Sequence, residues 1–361
     1  HVSFFSFLKI IKFYFLIVFN LISLDLVKWK KISIYLYLIK TQYWYEIFKN
    51  ENARIFFTMV DIDNDKFCKL NAIELNQGIS VTSHWSNVPF FSISNRKHAD
   101  ILLTWGRHFE ESIFNKCIYN KIYKIGYPSD HYFKYIRNKY KKVETDKFVI
   151  TYMDNSISND GQFPPSTNIL IMKNFYKILE KYENVTLYIK PKSSKGFNKY
   201  YGKKEIIEKL IKDNRLKVLF NDSYNEKFCP AAAAAMSDMC VSLGIGTTTS
   251  ESIFYGTPGF HLNNHNLSNK FIDAGKQKIV FNNLRELFQM IEYSINGKLI
   301  SIEECRNISS HLDPYQDGNA GNRASIIISF LLLTTSTSSF LPSKGTSSIG
   351  DIIFSTSLHS C

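Results

Sequence analysis

At 361 residues the chain is longer than one hydrophobic core usually organises, and its 45% hydrophobic and 15% aromatic content supplies enough apolar surface for two domains. Its formal charge of +12 comes from lysines and arginines spread along the whole length, dense only around Lys134 to Lys147, and no nucleic-acid-binding module accompanies them. Nucleic acid is therefore excluded as the expected partner, and the basic excess is better suited to a nucleotide diphosphate, an anionic glycan or an acidic membrane face.

Taken in order, the chain opens on His1 rather than Met, which reads as a fragment or as a start upstream of the natural one. Phe4 to Leu24 is apolar except for Lys9, Lys12, Asn20 and a few serines, so it sits at the edge of the 20 or so apolar residues that a membrane span requires. Lys28, Lys30 and Lys31 behind it make the basic collar of a membrane-surface anchor, and no small-residue cleavage site follows. Residues 1–42 are accordingly set apart from the domains as a segment in peripheral membrane contact or one foreign to the protein.

From residue 43 onward, strands and helices alternate. The apolar runs predict strands at Arg54 to Val60, Ile79 to Thr82, Ile101 to Trp105, Lys121 to Ile125, Phe148 to Met153, Val185 to Ile189, Leu216 to Phe220, Met239 to Leu243, Gly259 to Leu262 and Lys278 to Phe281. Threefold and fourfold apolar spacing predicts helices over Asn168 to Tyr182, Lys203 to Lys212 and Asn283 to Ile295. Such alternation implies an α/β protein with parallel sheets and helices on both faces. The basic segment Asp130 to Lys147 breaks the rhythm and divides the chain into two Rossmann-like domains facing a cleft, over 43–135 and 136–332. Residues 333–361, rich in Ser and Thr without period, read as a disordered tail.

Six widely separated cysteines, Cys68, Cys117, Cys229, Cys240, Cys305 and Cys361, form no C-x-x-C pair and have no histidine at zinc spacing. They argue for a reducing, cytoplasmic compartment and against a structural metal.

Polar residues just after strands are the site candidates, because in open α/β sheets ligands bind beyond the carboxyl ends of the strands. Asp61, Asp63, Asn64 and Asp65 follow the first strand, where a general base would face an acceptor hydroxyl; a capped turn is the plain alternative for at least two of them. Lys66 at the sixth position, in place of glycine, speaks against a calcium loop. His84 follows the second strand and has an ordinary pKa suited to proton transfer, although a lone histidine is more often structural. In DMCVSLGIGTTTSESIFYGTPGF, Asp238 to Phe260, a buried strand runs into Gly244 and Gly246, which allow close backbone approach, and then into Thr247, Thr248 and Ser250 at a helix start that favours an anion.

Two segments carry a resemblance. ESIFYGTPGF, beginning at Glu251, resembles the E-x4-G-x-P element of the donor domain in GT-B glycosyltransferases, and LDPYQDGNAGNRA, Leu312 to Ala324, resembles the ending of bacterial capsule and lipopolysaccharide biosynthesis proteins. FFTMVDIDNDKFCKLNAIELNQGISVTSHWS extends the likeness toward the N-terminus, so that it covers about Tyr43 to Arg323. Four positions depart from the pattern: Gln77 stands where a glycine is expected, Lys192 replaces the histidine of K-P-H-P, and Asn319 and Asn322 are uncommon in the last motif. The resemblance implies that Glu251 holds a hydroxyl of a nucleotide-sugar donor, that Asp154 and Asn155 lie near the donor phosphates, and that Lys190 offsets the charge of a departing diphosphate. Arg323 would brace Asp313 or Asp317, a structural role first.

The expected function is transfer of a sugar from a nucleotide-sugar donor to a surface glycan or lipid-linked glycan at the inner face of the membrane, with Asp63, His84 or Asp61 as base, no obligatory metal and no cofactor. A nucleotide-sugar epimerase of the same architecture, or a non-catalytic scaffold of a polysaccharide-synthesis complex, are the other classes compatible with these residues.

Overall fold

The computed structural model describes residues 4–22, 28–59, 65–84, 86–87, 98–155, 163–192, 201, 204–219 and 229–337. Helices α1 (Phe4–Ile22) and α2 (Lys28–Asn50) lead into a first unit of β1 (Ile55–Thr58), α3 (Lys66–Leu75), β2 (Ile79–Ser83), β3 (His98–Thr104) and β4 (Ile118–Lys124). A short helix, α4 (Phe133–Lys139), precedes the second unit. That unit comprises β5 (Phe148–Met153), α5 (Pro165–Lys181), β6 (Val185–Lys190), α6 (Lys204–Lys212), β7 (Leu216–Val218), α7 (Pro230–Ala235), β8 (Met239–Leu243), α8 (Thr247–Tyr255), β9 (Gly259–Leu262), α9 (Lys270–Gly275), β10 (Val280–Phe281), α10 (Leu284–Tyr293) and α11 (Ile302–Ser309). A last helix, α12 (Ala320–Thr337), follows.

Both sheets are parallel throughout. The first has the order β1-β2-β3-β4 and the second β10-β9-β8-β5-β6-β7, so the alternation read from the sequence is present as two Rossmann-like units. All ten expected strands exist, with β5, β8 and β9 at the expected bounds. These three are buried on both faces, which is why they are continuous apolar runs without alternation.

The first sheet takes cover from both ends of the chain. On one side Phe48 of α2 and Leu70, Ala72 and Ile73 of α3 pack with Phe56 and Ala99. A separate cluster joins Ile328 and Leu331 of α12 to Ile55, Val81, Ile101 and Leu103. The division expected at residue 43 therefore falls inside α2, whose second half belongs to the first core, and the segment expected to be tail is helical as far as Thr337. The rest of that tail lies outside the described residues. Among the described residues no helix is long and apolar enough to cross a membrane.

The basic segment expected as a linker is half structured. Phe133 and Ile136, one turn apart on α4, are buried against the second unit, and Arg137 donates to the Tyr255 carbonyl at 3.0 Å. Surrounding lysines and arginine mask this short apolar stripe in the sequence.

The DPYQDG motif fastens the junction. Buried Asp313 accepts from the backbone N–H groups of Tyr127 (2.9 Å), Tyr315 (2.9 Å) and Gln316 (3.2 Å), and Arg323 donates to the Ile125 carbonyl at 2.7 Å while forking onto both oxygens of Asp317. Gly126 lies between them at φ +90°, where a Cβ would stand 3.0 Å from the Arg323 guanidinium. The structural role expected for Arg323 is thus exercised through Asp317.

Gln77, which stands where the resemblance leads one to expect glycine, closes α3. Its N–H donates to the Glu74 carbonyl and that of Gly78 to Ile73, both at 2.9 Å, which is the Schellman arrangement with Gln77 in the left-handed position at φ +57°. Glycine is favoured there because a side chain strains this conformation. Gln77→Gly should raise stability by about 0.5–1 kcal/mol, less than the full left-handed penalty because glycine also loosens the unfolded chain. Urea denaturation measures it, and a loss of stability would contradict this account of the turn.

Candidate functional site

Strand β5 opens the second sheet, the chain then builds β6 and β7 on one side, and it returns to place β8, β9 and β10 on the other. The order reverses between β5 and β8. At such a reversal the topology of open parallel sheets sends the following loops apart and opens a crevice at the carboxyl edge, the place where parallel sheets bind ligands. Asp154 and Asn155 follow β5, and Gly244 to Gly246 follow β8, so the structure brings these sequence-derived residues to the two rims of one crevice. The Asn155 amide spans it toward the Leu243 carbonyl at 3.5 Å.

On the β8 rim, Gly244 adopts φ +86°, and a Cβ there would stand 2.4 Å from the Phe163 ring. Its carbonyl accepts from Ser242 Oγ at 3.1 Å, which fixes the turn from below. Gly246 is the N-cap of α8 and offers no side chain, so the first-turn N–H groups lack a side-chain cap. Such a start carries partial positive charge and favours an anion.

The first unit reaches this rim. The Asn87 N–H donates to Thr247 Oγ1 at 2.8 Å, and its side-chain amide to Ser250 Oγ at 3.2 Å. Two of the hydroxyls expected to face a donor are thus engaged by the loop after β2. Asn87 and Phe163 escaped sequence reasoning; neither stands in a motif, and it is the cross-cleft contact that marks Asn87 and the packing on the Gly244 turn that marks Phe163.

Buried acids line the interior. Asp154 accepts from the Lys192 N–H and the Tyr201 hydroxyl, and desolvation lifts its pKa to about 6 against these hydrogen bonds. It therefore ties the β5 loop to the β6 loop. Glu251, 3% exposed, accepts from the Tyr127 hydroxyl at 2.5 Å and from the Ala231 N–H at the start of α7 at 2.9 Å. Burial pushes its pKa upward, and that of Tyr127 well above the usual value. Lys190, at the end of β6, acts electrostatically on both acids, and Lys192 acts on Asp154 as well. The Lys190 charge opposes the upward shifts and favours the ionised carboxylates.

His84 has a different place from the one expected. It is fully buried, stacked on the Trp105 ring at 4.8 Å between centroids, and its Nε2 accepts from the Trp105 N–H at 3.2 Å while Nδ1 lies 3.0 Å from the Ser86 carbonyl. Burial lowers its pKa to about 3, so the ring is neutral, and this geometry assigns the proton to Nδ1 and occupies the Nε2 lone pair. Neither nitrogen is left to take a substrate proton. His84 instead locks the end of β2 to that of β3, which corrects the expectation of a base here. Asp61 and Asp63 lie outside the described residues; Asp65 is paired with Lys40 at 2.5 Å beside the start of α3.

Glu251→Ala would leave the Tyr127 hydroxyl and the Ala231 N–H buried without an acceptor. Stability should fall by about 2–4 kcal/mol, and Glu251→Gln should recover part of it; equal unfolding midpoints for Ala and wild type would refute the bracing role. Asp154 gives a pH signature. Its raised folded-state pKa means that the native state holds a proton which the unfolded chain has released, so ionisation weakens the fold as pH rises from about 4 to 6. Wild-type stability, measured relative to Asp154→Asn, should decline by up to about 3 kcal/mol across that window and level off above it. A flat difference curve would contradict the burial of this carboxyl.

No family model matches the chain, and no curated protein matches it in sequence. Solved structures do match. S. aureus MnaA, determined with UDP, superposes with a TM-score of 0.57 at 16% identity, covering 86% of this chain and 83% of that one. A Listeria monocytogenes protein assigned as a UDP-N-acetylglucosamine 2-epimerase gives 0.53 at 14% identity over 89% and 81%, and a Rickettsia africae glycosyltransferase gives 0.47 at 17% over 82% of each chain. At such identities the similarity concerns architecture: two Rossmann-like domains facing a cleft, the GT-B fold.

Proposed function

We propose that the chain is a glycosyltransferase that binds a nucleotide-sugar in the crevice between β5 and β8 and transfers its sugar to a surface glycan or lipid-linked glycan. The observation that carries this reading is the coincidence, at the reversal of strand order, of a left-handed glycine turn, a helix start without a side-chain cap and the Lys190 charge. The three together suit a diphosphate. Gly244, Gly246, Thr247, Thr248 and Ser250 would cradle it, with Thr247 and Ser250 exchanging their Asn87 contacts for ligand.

In the transfer, an acceptor hydroxyl gives its proton to a base on the first unit and attacks the anomeric carbon. The bond to the diphosphate breaks, and its electrons leave with the nucleoside diphosphate, whose growing charge Lys190 and the loop N–H groups offset. Asp63 is the candidate base. Asp154 and Glu251 frame the crevice, and each Glu251 oxygen, which holds one hydrogen bond from Tyr127 or Ala231, keeps a second lone pair for a donor hydroxyl.

A nucleotide-sugar epimerase is the second reading, favoured by the assigned activity of the Listeria protein and by the UDP bound to MnaA. The two differ in their need for an acceptor.

A thermal-shift screen against UDP-, CMP-, GDP- and CDP-linked sugars should single out one nucleotide; at a hundred times its Kd a ligand stabilises the fold by about 2.7 kcal/mol. Turnover of that donor should require an added glycan acceptor, and Lys190→Ala should slow it about a hundredfold. Asp63→Asn should lower turnover by about 10²–10⁴ and leave donor affinity in place. Rapid interconversion of the donor sugar without acceptor would replace the transferase with the epimerase, and no response to any nucleotide would defeat both.

A further inference from the structure

Helix α1 presents the wrong face to solvent. At about 100° per residue, its covered positions Ile10, Phe13 and Ile17 fall on one stripe, and the opposite side is where a helix on a soluble protein carries charge. Here that side holds Leu8, Ile11, Phe15 and Leu16, of which Phe15 is 57% exposed and Leu16 53%. The only charges on α1 are Lys9 and Lys12, and it has no acid.

α2 continues the pattern. It packs beside α1, with Tyr14 and Tyr35 edge to face at 5.1 Å, and exposes Ile32, Leu36 and Tyr43 along one stripe that also holds Lys40. Its charges are five lysines, Lys28, Lys30, Lys31, Lys40 and Lys49, and one acid, Glu46, which is buried and lies 3.9 Å from Lys9. The exposed surface of the pair is thus apolar and cationic.

We propose that the α1–α2 pair is a docking surface for an anionic phospholipid bilayer, lying in the interface with Leu8, Ile11, Phe15 and Leu16 among the acyl chains and the lysines at headgroup level. Charge selects this occupant. A second copy related by twofold symmetry would set these lysines against one another, whereas a lipid surface of opposite sign attracts them, each adding roughly fivefold to partitioning. Neither helix crosses the bilayer, since neither is apolar enough over its length. Long side chains such as Lys12 bury their stems and keep their ammonium groups in the headgroup layer.

The test is sedimentation of the full chain with vesicles of pure phosphatidylcholine and of phosphatidylcholine with 30% phosphatidylglycerol, alongside its mass in solution without lipid. The expected results are a monomer that pellets with the anionic vesicles, at least tenfold less with the neutral ones, and less again at high salt. Leu8→Ser with Phe15→Ser, and separately Lys12→Glu, should each weaken pelleting at unchanged melting temperature, because these side chains are exposed. Equal pelleting on both vesicle types, pelleting unmoved by the variants, or none at all would overturn the proposal. A dimer that the double serine variant splits would give the face to a second copy. None of these outcomes depends on nucleotide turnover, so the surface and the crevice are tested separately.

Discussion

Every strand in both sheets runs parallel to its neighbours, and this one constraint arranges the rest of the molecule. A parallel strand cannot turn back through a hairpin; it needs a crossover, and crossovers place helices over the sheet and buried apolar runs within it. They also send all the loops that follow strands out of one edge. Where the sequence of strand additions changes direction, two of those loops separate and open a crevice without any residue being selected for that purpose. Residue identity then decides only what the crevice prefers, and the glycine turn, the helix start without a side-chain cap and the lysine found there are features that suit an anion.

Placing acids in the interior is unfavourable unless donors meet them, and the chain meets them with its own groups. Asp154 takes a backbone N–H and a tyrosine hydroxyl, Glu251 takes another of each, and Asp313 takes three backbone N–H groups. Each joins segments distant in sequence. These carboxyls serve as rivets between loops, and removing one strands its donors as well as losing its bonds.

The strands were legible because fully buried parallel strands are short unbroken apolar runs, and β5, β8 and β9 stand out for that reason. The places of Gly244, Gly246 and Lys190 at the ends of β8 and β6 were legible too, because the strands before them are apolar runs. What remained hidden depends on contacts across the sequence. Nothing local to His84 tells of Trp105, 21 positions on, whose N–H fills its lone pair. Asn87 reaches residues 160 and more positions away, and the apolar positions of α4 are diluted by lysine and arginine. Gln77 is the reverse case, a departure visible in sequence whose left-handed backbone explains why the pattern asks for glycine.

The return of α12 to the first sheet means that the chain passes between the two units twice, once after β4 and once after α11. The two passages run side by side, stapled where Tyr127 meets Asp313 and Ile125 meets Arg323. A single tether permits swivelling about any axis. Two tethers at one place leave one easy rotation, about the line through them, as a door turns on paired pins. The Asn87 contacts to the α8 hydroxyls lie across the cleft from that line, so a rotation about it is the motion that would part them.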